Sequence, residues 1–539
     1  MSENNSHSHN GGAPSFSIPE IRSFVPECIR PYILIGFAII IQFSGGVYLT
    51  VSHEMASATA LMNEDVQMAG LTGLIGMSLN FIYMFRFKCA FPPKTAFFIC
   101  GTIIIIANLI TMHTTNVPLL VGTCLVAGFF RMQAMFLCMS TIQLWITPKR
   151  DMQIWFCWIC FIVNSMISLS GLLSVFISSA TEWQYVQWCI IGLVLIMLLI
   201  IMLIFKNFRT MPRIPFLGID YLGMLLWGGF AMSILFVCIY GEHFDWWHSK
   251  HIWTATFTAI SSLGFLLWRS SFIRHPYITI SAIKKPIMWL MPLTYLAEDL
   301  LLAPSHIFEH ALMENILGYD STHIASLNWI SFAGVIFATL IAWKIFGQWK
   351  WRYRTMFLIA FGCFSFYLAY FYLMIDYHLP KEYLFLPIFV RSFGYVILAI
   401  SLLTATTKLP FPFEFFQGIT IQNTFSAALA SSIGTAIIGH LLKITLLKNS
   451  MLISANFDHL NTHISQMPME MMYGIIQQQS LMVSMKEIYG WLLILSFVFL
   501  FFILIREEGL SEPVKLKFPN LNKWRKKMLS KLQQKLAHG

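Results

Sequence analysis

Charge is what this chain has least of. Asp, Glu, Lys and Arg together make up 11% of its 539 residues, against 57% hydrophobic residues. A soluble domain carries roughly 25% charged residues to keep its surface wet, so a water-facing surface is excluded for most of the length. No disulfide framework is visible either. The ten cysteines lie mostly within or beside apolar runs. The pair in CWIC, Cys157 and Cys160, falls inside one such run, where a thiolate is disfavoured; that pair reads as packing rather than redox chemistry. The first thirty residues lack an apolar core followed by a small-residue cleavage site, so no cleaved signal peptide is expected and the first span serves as the insertion signal.

Apolar runs of about twenty residues recur from end to end instead, each long enough to cross a hydrocarbon core about 30 Å thick as a helix. The expected class is an all-α polytopic membrane protein. Fourteen spans can be drawn: Tyr32–Val51, Val66–Phe85, Thr95–Thr111, Val117–Ser140, Ile154–Ser178, Val186–Phe205, Leu217–Tyr240, Ile252–Trp268, Ile287–Phe308, Ile324–Trp343, Met356–Leu373, Tyr383–Thr406, Ile419–Leu447 and Trp491–Ile505.

Loop charge orients them. The loops after even-numbered spans carry a long series of basic residues, from Arg86, Lys88 and Lys94 through Lys284 and Lys285 to Lys408, whereas the short loops after odd-numbered spans up to the eleventh carry only Lys250 and Lys381. The positive-inside rule then places both termini in the cytoplasm, and the expected location is the cytoplasmic (inner) membrane of a bacterium. The net charge of +10 follows from this asymmetry, and nucleic acid is not needed to explain it.

The segments so defined are a cytoplasmic tail (1–31), a six-helix bundle (32–206), an inserted helix pair with its linkers (207–286), a second six-helix bundle (287–505) and a basic tail (506–539). Within the second bundle, residues 448–487 read as a long outward loop. Its stretch Met467–Met485, rich in Met and Gln, is expected as an amphipathic helix on the outer membrane surface. His459 and His463 lie nearby, and soft-metal binding is the sharper alternative to a plain Met-rich apolar face. The tail places Leu521, Trp524, Met528, Leu532 and Leu536 at spacings of three and four among lysines, a pattern suited to anionic headgroups. No cofactor motif is present.

Several phrases resemble one family. EWQYVQWCIIG (Glu182–Gly192) has the Trp-rich opening and late glycine of span 6 in the fourteen-span drug:proton antiporters of the major facilitator superfamily, the EmrB/QacA type. GEHFDWWHS (Gly241–Ser249) is similar to the Gly-then-Trp loop of their inserted pair, HPYITISAIKKP (His275–Pro286) to their lead into span 9, and ASSIGTAIIGHLL (Ala430–Leu442) to their small-residue helix. The resemblance implies two six-helix bundles plus an inserted pair. It also implies a small-molecule substrate exchanged for protons and, in a cell with two membranes, a periplasmic adaptor and an outer-membrane channel as partners. Some of that family's marks are missing: the span 1 aspartate, the Gly- and Asp-containing loop after span 2, and the Gly-Pro signature of span 5. Span 4 keeps Arg131, with Gln133 two residues on, where the resemblance implies a place beside the substrate cavity.

The remaining chemistry is charge inside the apolar runs, at a cost of about 2.5–3.5 kcal/mol per group at mid-bilayer on insertion scales. Three sites stand out: Arg131, the adjacent acids Glu298 and Asp299 in YLAEDLLLAPSH, and Arg391. At about 1.5 Å per residue, Glu298 lies roughly 17 Å into its span from the cytoplasmic side and Arg391 roughly 12 Å in from the outer side. A Glu298–Arg391 or Asp299–Arg391 pair is therefore an expectation. Adjacent helical residues diverge by about 100°, so one acid pairs with the arginine while desolvation and like-charge repulsion favour a proton on the other. Asp299, His306 and His310 share roughly one face, with Glu309 at its outer end and Pro304 as a kink. This reads as an outward proton path.

The leading expectation is proton-coupled efflux of amphiphilic or toxic small molecules by alternating access, not an enzyme. A transport-inactive receptor-like or assembly subunit, and a nutrient importer or uniporter, are the alternatives.

Overall fold

The computed structural model describes residues 20–44, 49, 51–148, 151–207, 220–377, 379–455 and 468–505. The N-terminal tail before them, the basic tail from 506 with its expected lipid-facing helix, and His459 and His463 lie outside the described residues.

Sixteen helices carry the architecture: α1 Arg30–Phe43, α2 Asn63–Asn80, α3 Met84–Ala90, α4 Pro93–His113, α5 Val117–Ile146, α6 Met152–Ala180, α7 Gln184–Ile204, α8 Tyr221–Tyr240, α9 Lys250–Phe272, α10 Pro286–Ala311, α11 Asn328–Ala342, α12 Tyr353–Met374, α13 Phe385–Ala405, α14 Phe413–Thr424, α15 Ala430–Ser454 and α16 Met469–Ile505. Their starts follow local chemistry. Pro occupies the first turns of α1, α4, α5 and α10, where its missing N–H is no loss. Asn116, Asp151 and Asp220 accept backbone N–H bonds at the starts of α5, α6 and α8. Most serine and threonine hydroxyls inside the helices bond to carbonyls three or four residues back, as Ser401 does to Ile397 at 2.6 Å, which satisfies them in an apolar environment; the buried Thr72 and Ser165 hydroxyls are exceptions. The outward faces are apolar: on α7, Leu199, Met202 and Leu203 are each about 60% exposed, as lipid-facing residues are.

Eleven helices among the described residues are long and apolar enough to cross a membrane, and twelve if α2 and α3, bent by 67°, form one span. That supports a two-bundle polytopic protein and falls short of the expected fourteen. The first expected span ends as helix at Phe43 after 14 residues. The eighth, α9, is 23 residues long, but Thr254, Thr256, Thr258, Ser261 and Ser262 dilute its apolar character.

Two large cores form. One lies among α1 and α4–α7, with Leu34, Phe97, Val186 and Met197 at its centre. The other lies among α10–α13, α15 and α16, with Phe308, Phe346, Phe364, Tyr367 and Tyr489. The halves meet along two seams: α6 runs against α11 and α13, and α2 against α14. In the first half α2 and α5 touch backbone to backbone, because a Cβ on Gly128 would collide with the Gly73 carbonyl oxygen and one on Gly76 with that of Leu125. The pair α8–α9 rests on the second seam, with α8 against both α2 and α15. Asp220 staples this pair: Oδ1 accepts from Gly223 N at 2.9 Å and Arg269 Nε at 3.1 Å, and Oδ2 from Tyr277 N at 3.2 Å.

The outward loop differs from expectation. From Met469 to Ile505 the chain is one 37-residue helix, so the Met-rich stretch runs straight into the final span rather than lying along the membrane surface. Its residues from Met469 on contain no proline to stop it, and α15 braces it: Asn449 Nδ2 donates to Ser484 Oγ at 2.9 Å and Lys448 pairs with Glu487 at 3.1 Å. Pro304 does not break α10 either; the helix continues through it to Ala311 and ends in a π turn, Leu312–Ile316.

Candidate functional site

The site is built on α10. Tyr295 and Glu298 lie one turn apart on one face, and Asp299 follows. Glu298 is 0% and Asp299 7% exposed. Asp299 is pressed against α15 by backbone: a Cβ on Gly434 would lie 2.8 Å from its carbonyl oxygen. Small residues in α15 therefore permit the close crossing that sets the acids' position. Around Glu298 stand the Tyr295 and Tyr395 phenols and the Cys160 thiol, so α10, α13 and α6 converge there. From α14, Gln422 Nε2 donates to the Tyr295 hydroxyl at 2.9 Å. Both carboxyl oxygens of Glu298 and Oε1 of Gln422 are buried without a hydrogen-bond partner among the described residues. Three acceptors with no donor make this place fit for a group that brings protons.

Arg391 does not join the acids. Its Nη1 donates to Glu309 Oε1 at 2.7 Å, and the Tyr367 hydroxyl donates to the same oxygen at 2.7 Å. The Tyr367 ring also faces the guanidinium, 5.9 Å from its carbon. Depth explains the correction. Arg391 is six residues from the start of α13, about 9 Å in, whereas Glu298 is eleven residues, roughly 16 Å, below Glu309 on α10. Glu309 is the acid at the arginine's level.

The expected relay is not continuous: no hydrogen bond joins Asp299, His306 and His310 among the described residues. His306 is exposed and lies near Arg391. His310 pairs with Glu314 at 2.9 Å, both side chains more than half exposed. In the first half, Arg131 is 8% exposed, bonds the Met77 sulfur and lines a cavity of about 20 Å³ with Ser44, Asn108, Gly73 and Gly128, room for about one water. Gln133 does not line that cavity; fully buried, its Nε2 donates to the Met84 carbonyl at 3.2 Å, tying the bent α3 to α5. Among the described residues no group of three or more His, Cys, Asp or Glu could hold a metal ion.

Sequence reasoning passed over Glu309 as a charge partner, and also Tyr295, Tyr395 and Gln422. Gln422 left a signal, a polar IQNT within an apolar run. Tyr295, three residues before Glu298, left another.

No family model matches the chain, and no curated protein does. Solved structures do. A peptide transporter, POT, in complex with sulfate superposes with a TM-score of 0.56 at 15% identity, over 91% of this chain and 97% of that one. A mutant of POT in complex with alafosfalin gives 0.55 at 15% identity over 90% and 96%. A mutant of the nucleoside transporter NupG gives 0.51 at 11% identity over 87% and 99%. The fold is thus a major-facilitator-like one, an all-α polytopic membrane protein of two helical bundles. The similarity is with peptide and nucleoside transporters and does not single out the drug-efflux branch.

Proposed function

We propose that the chain is a proton-coupled transporter that carries a polar, hydrogen-bonding small solute into the cell by alternating access. The observation that carries this reading is Glu298: fully buried, near mid-span on α10, with neither carboxyl oxygen partnered. An ionised carboxylate in that position costs several kcal/mol uncompensated, so a carboxyl there is suited to hold a proton and give it up when the surroundings change. Asp299 beside it adds a second acid, and Tyr295, Tyr395 and Gln422 offer polar contacts to a solute at the same level. Arg131 faces the first half's cavity as a cationic counterpart.

Uptake of a nutrient is favoured over export of amphiphiles because the similar folds belong to proteins named for carrying nucleosides and peptides, cargoes rich in donors and acceptors. The test is transport by the purified full-length protein in vesicles of known sidedness, with a pH-sensitive dye inside. Nucleosides, short peptides and amphiphilic cations are offered in turn under an inward proton gradient. Accumulation of a polar solute with inward proton movement supports the proposal. Extrusion of amphiphiles against proton entry overturns the direction, and no proton movement with any solute overturns the coupling.

A further inference from the structure

The pair α8–α9 bridges the seam at which the two halves must part if either side is to open. Its contacts differ from end to end. Toward the cytoplasmic side, as loop charge orients the chain, they include buried bonds. Trp227 Nε1 donates to Thr424 Oγ1 at 3.1 Å, that hydroxyl in turn donates to Ser78 Oγ across the two halves at 2.9 Å, and the linker after α9 makes a part-buried bond to α14, from Thr279 Oγ1 to Gln417 Oε1 at 2.8 Å. Toward the outer side the two halves are held differently. Tyr240, the last residue of α8, donates its hydroxyl to Asp65 Oδ1 on α2 at 2.5 Å, a buried bond that ties the pair to the first half. Two residues later Glu242 reaches the second half: Oε1 meets His440 Nδ1 at 2.7 Å and Oε2 accepts from Lys443 Nζ at 2.8 Å, both on α15. Trp246 Nε1 donates to Glu242 at 3.1 Å, and its ring stands edge-on to His440.

We propose that Glu242 is the releasable tooth of an outer latch: α8–α9 rides with α2, and the outer seam opens when Glu242 parts from His440 and Lys443. Exposure decides which contact yields. The side chains of Glu242, His440 and Lys443 are 38%, 44% and 58% exposed, and exposed ion pairs break at little cost, while the Tyr240–Asp65 bond is buried, where a lost hydrogen bond leaves an unsatisfied polar group. Burial works against the Glu242 charge, but the hydrogen bonds from Lys443, His440 and Trp246 outweigh it and hold the carboxyl down at about 2. The acid therefore stays ionised at physiological pH, and the latch responds to competing charge and to motion of α15. The inference rests on alternating access in the transport reading and is independent of the solute and of proton coupling.

The test reads distance rather than transport. In the full-length protein in lipid nanodiscs, with the exposed Cys28 and Cys189 replaced by serine, spin labels are placed at Ala58, in the short helix Ser52–Thr59 that precedes α2, and at Met451 on α15. Pulsed electron resonance gives the distance distribution. Glu242→Gln and Lys443→Glu are each expected to raise the ratio of long to short distances roughly threefold to tenfold, the range of a lost exposed pair with a second contact. The exchanged pair, Glu242→Lys with Lys443→Glu, restores it. Added salt raises the ratio in the unaltered protein, because exposed pairs are screened, and adds little in Glu242→Gln. An unchanged distribution in both single variants overturns the latch, as does an exchanged pair that opens further than either single variant. Because the distances are read without any solute, loss of transport in the vesicle assay with intact latch behaviour separates failure of the coupling reading from failure of this one.

Discussion

Arg391 on α13 and Glu309 on α10 form a largely buried ion pair at 2.7 Å, their side chains 19% and 7% exposed, and that pairing leaves Glu298, eleven residues away on the same helix, without a cation. One contact ties the two helices; the carboxyl oxygens of the other acid have no hydrogen-bond partner among the described residues. Breaking the pair strands a charge. Arg391→Ala is expected to destabilise the protein by about 3–5 kcal/mol, read as a lower melting temperature in detergent. Glu309→Met combined with Arg391→Met removes both charges and should melt much closer to the unaltered protein than Arg391→Ala does. Equal losses in the single and double variants would show that packing, not the pair, is what matters there.

Glu298→Gln should leave the fold intact, because an amide of the same shape replaces a carboxyl that has no ionic partner. Melting should be unchanged or slightly raised, while proton-driven accumulation falls to background. Asp299→Asn is expected to weaken coupling to a lesser degree. A Glu298→Gln protein that still moves protons with solute, measured by the internal dye, would remove Glu298 from the coupling step.

Glycines on α5 separate close contact from open space. Gly128→Ala drives a methyl into the Gly73 carbonyl and should cost about 1–3 kcal/mol, the usual penalty of overpacking, or more. Gly122→Ala, on the same helix with nothing within 4 Å of its Cβ position, should stabilise by about 0.5–1 kcal/mol. Thermal melts of the two variants should move in opposite directions.

Asp220 gathers three donors from α8, α9 and the linker after it. Asp220→Ala leaves two backbone amides and the Arg269 guanidinium to find other partners, at about 2 kcal/mol or more. Limited proteolysis should then cut first near the α8–α9 pair; a cleavage pattern identical to that of the unaltered protein would argue against the staple.

Much of the helical layout was legible because apolar run length and loop charge are local signals. Thr95–Thr111 became Pro93–His113, and Val186–Phe205 became Gln184–Ile204. The crossing glycines of ASSIGTAIIG announced a tight contact, though not that its partner would be the Asp299 backbone. Harder to read were features set by neighbours. The bend between Asn80 and Met84 depends on packing, including Gln133 holding the Met84 carbonyl. The unbroken α16 depends on α15 beside it. The Arg391 partner depends on how far α10 slides along α13, a register that a single sequence does not encode. The acids themselves were legible for a simple reason: carboxyls in an apolar run draw notice wherever they pack.

The crossing of α15 over α10 at Gly434 also sets a mechanical ratio. From Gly434 to the outer end of α15 at Ser454 is twenty residues, about 30 Å of helix. A tilt of only about 10° at the Asp299 crossing would sweep that end through roughly 5 Å on this arm length, with α16 carried along as its brace. By that geometry a small rearrangement at the Gly434–Asp299 crossing would be enlarged into a displacement of several ångströms at the far end of the α15–α16 hairpin.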